Sequence, residues 1–226
     1  MCSKFSCTGK MNNPDVEELQ NSDKYELVYE LEHQQVKEFV INQITSGSKL
    51  VRGYMLYQLV MILTGLFFVT RPLVFAIRGN YQPLIYLLIA IILTFTLLIL
   101  IHELLHALAF KITGARKVSI GTYLKKFIFY AAADRHVLNR KQFTLVALTP
   151  FLTIKLITLA GVIITIGSPG VYFWIFVMSA HSLFCAGDIG MLDYFYQFRD
   201  SGLFTFDLKD EKKSYFYREK KTVPEY

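Results

Sequence analysis

The chain has 226 residues, 53% of them hydrophobic, with a mean hydropathy of +0.36 and a formal net charge of +6. That apolar excess is above the range of soluble domains and argues against an ordinary water-soluble enzyme, while the length allows one membrane domain with modest soluble ends. The positive balance does not point to nucleic acid: no RNA- or DNA-binding motif is present, and the basic residues flank apolar segments, where anionic lipid and topology favour them.

In chain order, residues 1–48 are polar and predict no cleavable signal peptide. Asp15 to Ile44 mixes Glu, Leu, Val and Phe at loosely helical spacing after Asn13-Pro14, which predicts a small N-terminal helical region with a solvated face. Four apolar stretches follow, at about Tyr54–Thr70 (closed by Arg71-Pro72), Leu84–Phe110, Phe143–Ile166 and Val171–Leu192. A bilayer crossing needs about 20 apolar residues, so the expected fold is an all-α membrane protein of about four transmembrane helices. Domains are expected as a cytosolic 1–48, a membrane-embedded 49–196 and a charged cytosolic tail, 197–226.

Basic residues set the expected orientation. Arg71 and Arg78 alone lie between the first two spans, and none lies between the last two. Lys111, Arg116, Lys117, Lys125, Lys126, Arg135, Arg140 and Lys141 lie between the second and third, and more follow the fourth. Positive residues favour the cytoplasm, so both termini and the 111–142 loop are predicted inside a cell membrane crossed several times. Within that loop, Val118 to Ala132 is β-branched and aromatic, which predicts a short hairpin lying against the membrane face.

The second span ends in Ile101-His102-Glu103-Leu104-Leu105-His106-Ala107, an HExxH pattern. Positions i and i+4 share a helix face, so His102 and His106 can turn nitrogens to one cation, with Glu103 placed as general base. At about 1.5 Å rise per residue, His102 lies about 27 Å beyond Leu84, near the inner edge of a core about 30 Å thick. Ionisable groups at the end of an apolar helix are costly and tend to be functional.

A catalytic zinc takes three protein ligands and keeps one position open. The long form of the motif, with Gly three and His six residues after the second His, is excluded by Ala109 and Ile112. No Glu occurs between Glu103 and Glu211, leaving Asp134, Asp188 and Asp193 as carboxylates near membrane level. Asp188 stands out, because it ends the fourth span on the same side as His102 and His106. His181, seven residues earlier, shares its face and is open to three readings: a further ligand, a donor to an oxyanion, or a packed polar residue. Cys185 reads as a small buried residue, and Cys2, Cys7 and Cys185 form no CxxC pair. Asp134 and His136 read as loop surface and His33 as surface. Lys155, midway along the third span, needs a partner or a water-lined cavity.

The HExxH at the end of an apolar span, Gly114-Ala115-Arg116 after it, Thr149-Pro150 at the next span and Gly187-Asp188 closing the last resemble the zincin peptidase family of small bacterial membrane proteins. More distantly, they resemble the site-2-protease class. The resemblance covers roughly residues 50–195. It implies His102, His106 and Asp188 as zinc ligands and Glu103 as base. Site-2-proteases carry an Asn-Pro and an Asp-Gly in the ligand-bearing span. This chain has Gly187-Asp188-Ile189 without the Asn-Pro, and His181 stands loosely where the Asn would.

The expected function is zinc-dependent hydrolysis of peptide bonds near the cytoplasmic membrane face, on a membrane-protein or peptide substrate. The alternative is a non-catalytic metal-binding scaffold or regulatory protein, with solute transport as a third reading. The expected partners are substrate and the lipid bilayer, without nucleic acid.

Overall fold

The structure is a computed structural model and describes residues 13–123, 128–199 and 201–220. Its apolar stretches are helical. Helix α3 (Lys49–Ile77) begins where the Ser48 hydroxyl accepts the Val51 amide at 3.1 Å, filling a donor the first turn leaves open. It passes through the expected stop at Arg71-Pro72, because Pro72 is buried against the bundle and the helix continues beyond the one missing amide bond. Helices α4 (Gln82–Phe95) and α5 (Leu97–Ile112) form a pair bent by 45° at Thr96. The Thr96 hydroxyl donates to the Ile92 carbonyl at 2.6 Å, a bond that competes with the helical ladder.

Helix α6 (Arg140–Ile164) opens on a capping box in which Asn139 and Gln142 satisfy each other's backbone amides. Helices α7 (Val171–Phe184) and α8 (Ala186–Gln197) form a second pair, bent by 44° at Cys185. Among the described residues, two helices, α3 and α6, are long and apolar enough to cross a membrane, and up to four spans result if each bent pair is one span. Large apolar side chains cover their outer faces: Leu66 is 59% exposed, Ile92 67% and Leu156 66%. Such an apolar belt has no aqueous use and suits lipid.

Inside the bundle, α7 packs against α3, α4 and α6. Gly161 of α6 admits the Trp174 indole so closely that an added Cβ would sit 2.2 Å from the ring. The half-buried Lys155 ammonium donates to the Met178 carbonyl at 3.1 Å and lies 5.1 Å from the Tyr57 ring centre, so its partners are a backbone oxygen and an aromatic face.

The rest of the chain departs from an all-α reading. Residues 15–44 are not helical throughout. A single turn, α1 (Val16–Leu19), precedes strand β1 (Tyr25–Glu32), and only then comes α2 (Val36–Ser46). The hairpin expected near 118–132 forms as β2 (Val118–Tyr123) and β3 (Ile128–Ala133), antiparallel with Gly121 opposite Tyr130; Lys125 and Lys126 lie outside the described residues. After the short β4 (Leu138–Asn139), the charged C-terminal segment forms a hairpin of β5 (Leu203–Leu208) and β6 (Lys213–Glu219).

One antiparallel sheet in the order β1-β6-β5-β4 thus joins segments nearly 200 residues apart. Tyr25, Leu27, Tyr29 and Leu31 alternate with charged residues, interrupted by a bulge between Leu27 and Tyr29. Leu31, Phe39, Tyr194, Phe195 and Phe216 form the core that fastens this sheet to α2 and α8. That places the sheet over the end of the bundle where α5 and α8 finish.

Candidate metal centre

Helix α5 carries His102, Glu103 and His106, all buried. Their spacing along the helix turns both imidazoles to one side, and their Nε2 atoms lie 3.0 Å apart. Asp188, in the first turn of α8, completes the group: its Oδ1 lies 3.1 Å from His106 Nε2 and its Oδ2 3.3 Å from His102 Nε2. The three expected ligands from two separate helices therefore meet within 4.8 Å of one another.

The far nitrogens fix which ring atoms face inward. His106 Nδ1 lies 3.0 Å from the Val146 carbonyl of α6. A carbonyl only accepts, so Nδ1 carries the hydrogen and the Nε2 lone pair points into the group. His102 Nδ1 lies 3.0 Å from His181 Nε2. His181 is fully buried and stands behind His102, outside the His102, His106, Asp188 group. In the tautomer whose Nδ1 donates to His181, His102 also presents an Nε2 lone pair to the group. Cys185 Sγ lies 3.8 Å from both ring nitrogens of His181 and donates to the His181 carbonyl at 3.4 Å. His102, His181 and Cys185 form a second close group on that side.

The donor set fits a divalent cation. Two imidazole lone pairs and a carboxylate converge, and Asp188 Oδ2 makes no hydrogen bond despite its burial; unshared, these electron pairs would repel. Zinc bonds of about 2.0–2.1 Å in tetrahedral geometry put donors about 3.3 Å apart, and the observed 3.0–3.3 Å is close to that. Three protein donors also leave a tetrahedral position open, as hydrolytic zinc sites do.

Glu103 shares a cavity with this group. Its Oε2 is buried without a hydrogen-bond partner, and the backbone amide of Ala131 on β3 faces its carboxylate. It lines a cavity of about 820 Å³ together with the three metal-ligand candidates, β3 and the sheet. Four consecutive residues of β3, Phe129 to Ala132, line this cavity. Successive side chains of a strand point to opposite faces, so a run of four implies that the edge of β3 itself is turned toward the cavity.

Other sequence expectations fare differently. His33 is buried rather than on the surface, because β1 carries it under the sheet, where its Nε2 lies 4.0 Å from Asp207 Oδ1. His136 and Asp134 are half-buried rather than loop surface: His136 Nε2 lies 3.1 Å from Thr113 Oγ1, and Asp134 accepts the Lys209 amide at 3.0 Å. Burial holds the His136 imidazole below its ordinary pKa. Asp193 is fully buried and away from the metal-ligand group, accepting from the Ser48 hydroxyl and from Gln197 at 2.8 Å.

Residues 95–202 match the model of a family described as "Putative zincin peptidase". The matched segment begins at the end of α4 and includes every residue of the metal-ligand group. No curated protein and no solved structure matches the chain.

Proposed function

We propose that this chain, whose residues 95–202 match the zincin peptidase family, is a zinc-dependent membrane-embedded metalloprotease that hydrolyses peptide bonds near the cytoplasmic membrane face. The observation that carries the reading is the convergence of His102 Nε2, His106 Nε2 and the Asp188 carboxylate within 3.3 Å of one another, beside the unpartnered Glu103 oxygen. Zinc held by these three side chains would supply a Lewis acid for the scissile carbonyl and acidify a water molecule.

The protein's own groups do the rest. Glu103 Oε2 takes a proton from the attacking water and delivers it to the leaving amine. Val146 and His181 hold the two imidazoles by their far nitrogens, so neither ring can turn. The cavity edge of β3 offers backbone groups to an extended substrate segment, in the manner of an added strand. A substrate helix would have to unwind to use it, because helical amides and carbonyls are already paired. Four crossings with both termini inside would set this centre at the inner leaflet, in a site-2-protease-like position.

Replacing Glu103 by Gln is expected to abolish cleavage of a fluorogenic peptide by the detergent-solubilised chain while zinc content stays at one ion per chain. Cleavage that survives the substitution in metal-loaded protein would point instead to a metal-binding scaffold.

A further inference from the structure

The cavity that holds Glu103 has a second polar end, which hydrolysis does not use. It is built by the sheet, from His33 after β1, Thr205 and Asp207 on β5, and Ser214 on β6, facing Tyr130 on β3. The Ser214 hydroxyl donates to Asp207 Oδ1 at 2.5 Å, and His33 Nε2 lies 4.0 Å from the same oxygen. The Tyr130 ring centre is 5.4 Å from that of His33.

Two features make this end a receptor for positive charge. Among the described residues, no lysine or arginine side chain forms an ion pair with Asp207, although the Arg135 amide donates to its backbone carbonyl at 2.9 Å and Lys37 also lines the cavity; the ionisable side chains around its carboxylate are His33 and Asp134. His33 is more than nine-tenths buried, and its Nδ1 has no hydrogen-bond partner. A neutral imidazole that turns its Nε2 hydrogen to the carboxylate keeps Nδ1 as an unused acceptor in the cavity wall. Burial disfavours charge on both members of the pair, holding the His33 imidazole below and the Asp207 carboxyl above their ordinary pKa values, and an incoming cation would offset that cost at Asp207. The place therefore offers a carboxyl group without a lysine or arginine ion-pair partner among the described residues, a buried imidazole and an aromatic ring.

We propose that His33, Asp207 and Tyr130 form a subsite that binds a cationic group of the substrate, an ammonium or a guanidinium. The proposal rests on the hydrolase reading for what the substrate is, and it adds a preference for a basic residue close to the cleaved bond. Tyr130 precedes Ala131, whose amide faces Glu103, and one residue of strand is about 3.3 Å. The subsite thus lies within a few residues of the bond positioned at the metal.

The test uses the full chain in detergent with Glu103→Gln, so that binding is read without turnover. The probes are N-acetylated fluorescent alanine-valine decapeptides carrying one lysine or one norleucine at successive positions, followed by fluorescence anisotropy. At the best position the lysine peptide is expected to bind about tenfold more tightly, the scale of one charge-assisted hydrogen bond. Asp207→Asn, which keeps an acceptor for Ser214, should bring that ratio below about two, and His33→Asn should lower it independently should Asp207→Asn fail to fold.

A norleucine peptide with a free amino terminus tells a chain end from a side chain as the source of charge; tight binding of either supports the subsite. Equal binding of all probes, or a ratio that survives both substitutions in folded protein, overturns it. Lysine-selective binding without any cleavage by the unaltered chain would sink the hydrolase reading and leave the subsite standing. Cleavage without selectivity would do the reverse.

Discussion

His102 Nδ1 faces His181 Nε2 at 3.0 Å, and His106 Nδ1 faces the Val146 carbonyl at the same distance. If His181 orients His102, then His181→Gln should weaken zinc binding by roughly 10–100-fold without eliminating it. Chelator competition measures this, and Asp188→Ala should lose the ion outright under the same conditions. A complete loss in His181→Gln would make His181 a ligand instead. Burial gives His136 a second measurable consequence. Its folded pKa lies below 6.5, so as pH falls through 6.5 the unfolded chain takes up the proton first and stability drops. His136→Asn should flatten the loss of melting temperature between pH 7.5 and 5.5 relative to the unaltered chain. At this scale the sequence singled out His102, Glu103, His106 and Asp188, which the structure brings to one cavity, because ionisable groups at the end of an apolar helix are costly unless they pair or bind a metal. It concealed His33, since nothing within thirty residues of it shows that a distant hairpin will cover it.

Both helices that carry the candidate metal ligands begin just after a break: α5 follows Thr96 and α8 follows Cys185. The bends of 45° and 44° fall six residues before His102 and three before Asp188. Hydropathy marked the spans and missed these breaks, because Thr96 and Cys185 sit in apolar runs and bend the chain only through hydrogen bonds to the preceding turn. The alternation of Tyr25, Leu27, Tyr29 and Leu31 was a legible strand signal in a segment read as helix, and the aromatic pattern of β5 and β6 was another. Interrupted glutamates and a lysine-rich turn obscured them, and their pairing partner lies at the other end of the chain. Element packing also gives a direct test. Gly161→Ala would place a methyl group inside the Trp174 indole and should destabilise the α6–α7 contact by roughly 1–3 kcal/mol. Thermal melts in detergent should show the loss, and Trp174→Leu in the same chain should recover most of it.

The whole molecule has two unlike ends. One carries the sheet, the β2–β3 hairpin, and the ends of α5 and α8; the other carries the short connections 78–81 and 165–170. The basic residues gather at the first end and are sparse at the second, where Arg71 and Arg78 stand alone. If all four apolar units cross the bilayer, the sheet end is cytoplasmic, and the metal-ligand group is reached from the inner face. Single cysteines can read this in a background with Cys2, Cys7 and Cys185 replaced. A cysteine at Asn80 or Ser168 should react with a membrane-impermeant maleimide on intact cells, and one at Asp23, Lys117 or Lys209 only after permeabilisation. Lys117 is the deciding position, because it follows α5. If the bent pair α4–α5 enters and leaves by the same face, Lys117 joins Asn80 on the outside, and the centre would open to the opposite compartment. Labelling of Lys117 from within, together with Asn80 from without, requires that the α4–α5 unit cross despite its bend, with His102 and His106 held on the cytoplasmic side of it.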